Sequence, residues 1–482
     1  MNLLFVATEL SPIHGDAPLA RRVGHLCTAL CTLGHKVMAC APAGGSANLE
    51  RFSFARRLTP VVVDFPRDRI AFHVLDGRLP SGVEVKLLVN DAHAEAGVAQ
   101  GSGDQPLWHA ALCRAAIDLA AAESVDWHVV HGASLAGALL PLLASRSPRL
   151  AGAKRLLFLD GLVDQGRCSR EWVERLGLGW EGFTPEGYEF FGDLNVLKAG
   201  LVSADSLVLD GHARLGETLT SEGAAGLEGV MRHRALDLVA LPPGLDFARW
   251  NPATDPALPA RYDAGQPDGK AICKADFQHR HGLPVQAGVP LVGLVPPLTD
   301  MARTLARILD RLLRCELQLV VPEGLDPAVD GAIPELLKRW PRQVARVAHG
   351  EPELHQLLAA ADVVVLDAPL RSDAETLLAA LRYGALPVVR SSGLARDLVV
   401  DLEPGLESGN GFVVHEDDPN ELLAVILRAT ASMRRETVFD ELVSRVMGSP
   451  RSWEAVAGQL EQVYARLLSA VHTAAPEPCA ES

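Results

Sequence analysis

The chain has 482 residues, with 45 Lys plus Arg against 60 Asp plus Glu, a formal net charge of −15 and 48% hydrophobic residues. At roughly 150 residues per domain that length predicts two or three globular domains with ample cores, and the acidic balance argues against a polyphosphate backbone as the main ligand, since nucleic-acid binders carry a basic face. No apolar run reaches the ~20 residues that span a bilayer, and Leu3–Ala7 runs into Glu9 too soon to be a secretory core, so a soluble, cytoplasmic protein with no membrane contact is expected.

In chain order, short apolar segments rich in β-branched residues alternate with Ala/Leu/Arg-rich stretches of helical period, the pattern of parallel strands covered by helices. The first series predicts strands at Leu3–Thr8, Lys36–Ala41, Val85–Val89, His128–His131, Arg155–Asp160, Ser206–Leu209 and Leu238–Leu241, with a helix at about Arg21–Leu33. After a Pro/Gly/Asp-rich stretch, 251–269, a second series predicts strands near Leu291–Val295, Leu317–Val321, Val344–Ala348, Asp362–Asp367, Leu386–Arg390 and Gly411–Val414. The fold class is therefore α/β, two doubly wound Rossmann-like domains facing across a cleft, at 1–245 and 246–450. A helix over 451–470 is expected to cross back to the first domain, and 471–482 reads as a flexible tail.

The eight Cys, at 27, 31, 40, 113, 168, 273, 315 and 479, lack paired zinc-knuckle spacing, so reduced thiols are expected and neither a metal nor a cofactor is assigned. Gly132–Gly137 lacks the Gly-x-Ser-x-Gly spacing of a nucleophile elbow, and neither a Gly-x-Gly-x-x-Gly after a strand nor a Walker lysine is present.

Four landmarks carry a family resemblance. Thr8-Glu9 with Pro12 opens a loop into the first helix, whose start offers backbone amides to a phosphate. E-F-F-G-D-L-N-V-L-K-A-G-L-V-S-A-D spans 189–205, P-G-L-D at 243–246 precedes Trp250, Asn251 and Pro252, and R-Y-G-A-L-P-V-V-R-S-S-G-L-A spans 382–395. Together with S-G-N-G-F-V-V at 408–414 and Ser452-Trp453, this order resembles bacterial glycogen synthases and plant starch synthases over about residues 1–470. The resemblance implies the two-domain GT-B glycosyltransferase fold, with a starch-synthase-like catalytic-type first domain and a nucleotide-binding-type second one. It further implies retaining transfer of glucose from ADP-glucose to an α-1,4-glucan.

Departures from the family pattern fall where the chemistry needs charge. Glucosyl transfer with retention requires cations for the departing diphosphate. Gly15 falls where the family has Lys, and Ala17-Pro18 where it has Gly-Gly; Pro18 also lacks an amide donor. Pro297 stands for the family Arg, Ala302 for its Lys, Arg371 for the Glu of Glu-x-x-Gly-Leu, and Pro243 for the junction Asn. Of His-x-His-Asp-Trp only His131 remains. No intact catalytic set is left, and the expectation is weak or lost transfer; the alternatives are a non-catalytic glucan- or partner-binding regulator and a transferase retuned to another nucleotide sugar.

Each donor- or sugar-site candidate has two readings. Glu9 lines a sugar site or caps a turn; His131 bonds a sugar hydroxyl or sits satisfied in the core; Lys198 meets ligand or packs within its signature. Tyr383 with Gly384 contacts ligand or sets a helix end, and Ser392-Gly393-Leu394 forms a phosphate-accepting nest or an ordinary turn. Arg371 pairs with Asp373 or Glu375 or donates to a new anionic ligand.

Overall fold

The computed structural model describes residues 1–43, 47, 49, 51–90, 104–296, 298, 301–367, 374–433 and 436–469. The chain clusters into two compact units, Met1–Pro242 with the segment from Trp453, and Pro243–Ser452. Pro297, Arg371 and the tail at 471–482 fall outside the described residues.

The first unit contains strands β1 (Asn2–Val6), β2 (Lys36–Pro42), β3 (Phe54–Arg56), β4 (Val61–Asp64), β5 (Arg69–Arg78), β6 (Glu84–Val89), β7 (Val129–Ala133), β8 (Lys154–Leu159), β9 (Arg167–Cys168), β10 (Glu189–Phe190), β11 (Asp193–Asn195), β12 (Ser206–Asp210) and β13 (Leu238–Leu241). The main sheet has the order β13-β12-β8-β7-β1-β2-β6-β5-β3, with β4 also on β5; β9, β10 and β11 form a separate small sheet. From β13 to β6 every pairing is parallel. Successive residues of β1 enter different cores, Leu4 and Val6 on one face and Leu3 and Phe5 on the other, which is why the strand reads as an unbroken apolar run.

The sequence reading missed β3, β4 and β5, which extend the sheet in antiparallel fashion. In β5, Ile70, Phe72 and Val74 are buried whereas Arg69 and Ala71 are exposed, so this segment alternates instead of forming a continuous run. The first helix spans Pro18–Thr32 and begins earlier than expected, with Pro18 in the first turn where an amide is dispensable.

Helix Trp453–Ser469 buries Val456, Ala457, Leu460, Val463 and Tyr464, a stripe of helical period, in the same core as Leu3, Phe5 and Cys27. It therefore packs within the first unit, against the helix Pro18–Thr32. No described helix is long and apolar enough to cross a membrane.

The second unit holds β14 (Leu291–Leu294), β15 (Gln318–Pro322), β16 (Val344–Val347), β17 (Val363–Val365), β18 (Leu386–Arg390) and β19 (Phe412–Val414), all parallel in the order β16-β15-β14-β17-β18-β19. Val363, Val364 and Val365 are all fully buried, as a strand covered on both faces requires. The two ends of this unit meet where the Leu245 amide donates to the Arg451 carbonyl at 2.8 Å.

The Tyr464 hydroxyl is buried without a hydrogen-bond partner among the described residues. An unsatisfied buried group costs about 1–3 kcal/mol. Tyr464→Phe should accordingly leave the melting temperature unchanged or raise it, while Tyr464→Ala should cost about 3–5 kcal/mol in denaturant unfolding. A clear destabilisation by the Phe variant would show that the hydroxyl is bonded.

Candidate functional site

Open α/β sheets bind ligands beyond the carboxyl ends of their strands, at the point where strand order reverses. In the first unit the chain moves from β1 to β2 on one side and returns to β7 on the other, so the reversal lies between β1 and β7. Glu9 follows β1 and Ser134 follows β7 directly. Glu9 is half-buried and makes no hydrogen bond or ion pair with a described residue. Ser134 has φ 58° and ψ −166°, a conformation comfortable only for glycine, and its amide donates to the Phe158 carbonyl at 2.8 Å. The turn folds tightly on the strand: a Cβ on Gly132 would stand 2.2 Å from the Gly137 carbonyl oxygen.

The loop between β1 and the first helix is fixed by internal bonds. The Ser11 amide donates to the Ala20 carbonyl at 2.9 Å, the Leu10 amide donates to His14 Nδ1 at 3.1 Å, and His14 Nε2 lies 2.8 Å from the Pro42 carbonyl. Gly15 has φ +75° with open space where a Cβ would stand. Ala17 precedes the helix without any side-chain cap bond.

His131 does not end its strand. Gly132 and Ala133 continue the pairing with Leu157 and Phe158, leaving His131 mid-strand, opposite Phe5. Its ring is 1% exposed, lies edge-on to Phe5 at 4.7 Å, and neither nitrogen has a hydrogen-bond partner among the described residues. Burial pulls its pKa down to about 3, so the ring is neutral.

Charges that the sequence reading passed over gather beyond β8 and β12. Arg22, on the first helix, pairs with Asp210 at the end of β12, and its guanidinium lies 4.6 Å from the Phe158 ring centre. Arg214 donates to the Asp160 carbonyl and stands 3.9 Å from its carboxylate. Arg22, Asp210 and Arg214 are all buried. Burial lowers Arg22 to about 9, with Asp160 opposing the shift, so it stays cationic at neutral pH. The available signal was an arginine at an inward helical position, four residues before buried Leu26.

Lys198 is held by the fold. Its ammonium donates to the Pro185 carbonyl at 2.5 Å and the Glu189 carbonyl at 2.7 Å, while Asn195 caps its helix by accepting the Lys198 amide.

In the second unit the reversal lies between β14 and β17. Ala302 is fully buried in the first turn of helix Ala302–Leu312, and the Met301 amide donates to Asp367 Oδ2 at 3.3 Å. The amides of Ser391 and Ser392 donate to the Val414 and Arg390 carbonyls at 2.7 Å each, Gly393 has φ +55°, and Leu394 is buried before a helix of only four residues. The nest expected at Ser392-Gly393-Leu394 is thus partly closed by backbone bonds. Tyr383 caps helix Glu375–Arg382, with Gly384 at φ +70° beyond it. The Tyr383 hydroxyl donates to Asp255 Oδ2 at 2.5 Å, and His355 Nδ1 is 2.6 Å from the same oxygen. Trp250 stacks on His355 at 4.2 Å and donates through Nε1 to Glu375 at 2.8 Å. Pro243 begins this unit.

Comparison with known proteins follows this geometry. The family described as "Starch synthase catalytic domain" matches residues 2–233. A glycogen synthase of Anaeromyxobacter sp. (strain Fw109-5) is 33% identical over 97% of this chain and 99% of its own length. The chain belongs to the glycogen/starch synthase family of glycosyltransferases. A Myxococcus xanthus glycogen synthase is 31% identical over 97% of this chain and 100% of its own. The catalytic domain of starch synthase IV from Arabidopsis thaliana, solved with ADP and acarbose, superposes with a TM-score of 0.80 at 22% identity, covering 97% of this chain and 99% of that one. The fold is thus the family's GT-B fold.

Two variants test the strand-end geometry. A buried neutral His with a depressed pKa withdraws stability as pH falls from about 6.5 towards 3, at up to ~1.4 kcal/mol per unit, because the unfolded chain takes the proton first. His131→Leu should flatten the loss of melting temperature between pH 6 and 4; an unchanged slope would mean that His131 is not buried as described. Ser134→Gly relieves a backbone strain of about 1–3 kcal/mol and should hold or raise the melting temperature, although glycine's added chain entropy offsets part of the gain. A marked fall would place a stabilising contact on the serine side chain.

Proposed function

We propose that this chain is a glycogen/starch synthase-type protein whose glucosyl transfer from ADP-glucose to α-1,4-glucan is weak or lost. In this reading 1–245 is the starch-synthase-like catalytic-type domain, 246–450 the nucleotide-binding-type domain, and 451–470 the helix returning to the first. The supporting observation is the set of charges beyond β8 and β12: Arg22 and Arg214 already face Asp210 and Asp160, and Gly15 supplies no cation where the resemblance leads one to expect Lys. A charge-balanced cluster suits the hydroxyls of a sugar better than a departing diphosphate, which needs unbalanced positive charge. Ala302 points the same way, since a buried alanine stands for the family's other lysine.

Loss of one charge-stabilising donor commonly costs about 2.7–4 kcal/mol of transition-state stabilisation, or 10²- to 10³-fold in rate. Purified protein incubated with ADP-glucose or UDP-glucose and a maltooligosaccharide primer should release nucleoside diphosphate at least about 100-fold more slowly than the Anaeromyxobacter relative assayed alongside. Comparable turnover with ADP-glucose would contradict the reading. Glucan retention in affinity gels with no turnover would assign the glucan-binding regulator instead, and turnover confined to UDP-glucose a retuned transferase.

A further inference from the structure

A cavity of about 450 Å³ opens in the second unit, at the opposite end of the sheet from the strand reversal. Ala287 and Gly288, which line it, precede β14, and Asp362 precedes β17. Its walls come from helix Gly269–Arg280 through Ala275, from helix Glu436–Met447 through Phe439 and Val443, and from Val285. A volume near this size is within the range of pockets that hold small organic ligands.

The polar groups on the lining are of one kind once their bonds are counted. Lys270 donates to the carbonyls of Leu358, Ala359 and Tyr383 at 3.2, 3.1 and 3.0 Å. Lys274 donates to the carbonyls of Ala287 and Val289 at 2.9 and 2.8 Å and pairs with Asp362 at 2.7 Å. An ammonium has three protons, so neither lysine keeps a donor for an incoming anion. What remains is acceptor capacity. Asp362 takes both of its bonds on Oδ2, from Lys274 and from the Leu291 amide. Asp268 and Asp440 stand exposed on the lining, without an ion pair among the described residues. The lining thus carries three carboxylates against two lysines that are both fully bonded, around an apolar interior.

We propose that this cavity binds a small amphiphilic organic ammonium, with its hydrocarbon body against Ala275, Val285, Phe439 and Val443 and its cationic head at Asp268 and Asp440. The head belongs at the exposed carboxylates because the Lys274 ammonium beside Asp362 repels a second cation deeper in. Phe439 adds an aromatic wall favourable to a neighbouring cation. The site is independent of the transferase reading, since it lies away from the carboxyl ends of the strands.

Calorimetry of the full-length protein with butyl-, hexyl- and octylammonium, with hexanol and hexanoate for comparison, tests the assignment. Affinity should rise about fourfold per methylene until the cavity is full, because each buried methylene contributes about 0.8 kcal/mol. Hexanoate should bind at least tenfold more weakly than hexylammonium. The double substitution Asp268→Asn with Asp440→Asn, both at exposed positions, should weaken hexylammonium several-fold and leave hexanol unchanged; Ala275→Phe should abolish binding of both. The proposal is overturned if no alkylammonium binds, if hexanoate matches hexylammonium, or if the carboxamide pair leaves the ammonium preference intact.

Discussion

A guanidinium taken out of water must keep a carboxylate beside it, and the Arg22–Asp210 pair applies that condition at the carboxyl end of the first unit's sheet. Arg22 belongs to the helix that follows the loop after β1, and Asp210 closes β12. The pair therefore ties the loop-bearing helix to a strand on the far side of β7 and β8 in the sheet order. Removing either partner alone leaves a buried charge exposed to an apolar surrounding, a loss of typically 3–5 kcal/mol, so neither residue can be exchanged for a ligand-binding one by itself. Phe158, beneath the guanidinium, belongs to the same contact.

The second unit shows the same economy of polar groups. Trp250, from the Trp-Asn-Pro landmark, and Tyr383, from the Tyr-Gly landmark, meet around His355 and Asp255 in one buried hydrogen-bonded cluster. Tyr262 donates to the Tyr383 carbonyl at 2.9 Å, as Lys270 also does. In such clusters every member depends on the others, because an unpaired polar group in a low-dielectric interior is costly. That dependence accounts for the survival of these landmarks where residues expected to handle charge have changed: the landmarks hold the unit together. Lys198 fits the same account, since its ammonium fastens 185–189 to its own helix.

Much of the architecture was legible because parallel strands buried on both faces must be apolar throughout, and β1, β2, β8, β14 and β17 announce themselves in that way. The alternation of β5 was equally present in R-I-A-F-H-V but belongs to a different pattern, a sheet edge with one face towards solvent. Candidate residues were less legible than elements. His131 looked like a strand-end ligand because its strand was read two residues too short, whereas Gly132 and Ala133 carry the pairing onward. Arg22, Asp210, Asp160 and Arg214 could not be joined by spacing, since only the order of β8 and β12 in the sheet brings them together. Glu9 and Gly15 lie where the motif placed them, after β1 and before the first helix.

The central claim is that the family scaffold persists while the positive charge for a nucleoside diphosphate has been withdrawn or internally paired. Calorimetric titration of ADP into the unmodified protein measures that charge most directly. The account predicts a dissociation constant no tighter than about millimolar, equivalent to roughly 4 kcal/mol, and a micromolar constant would contradict it.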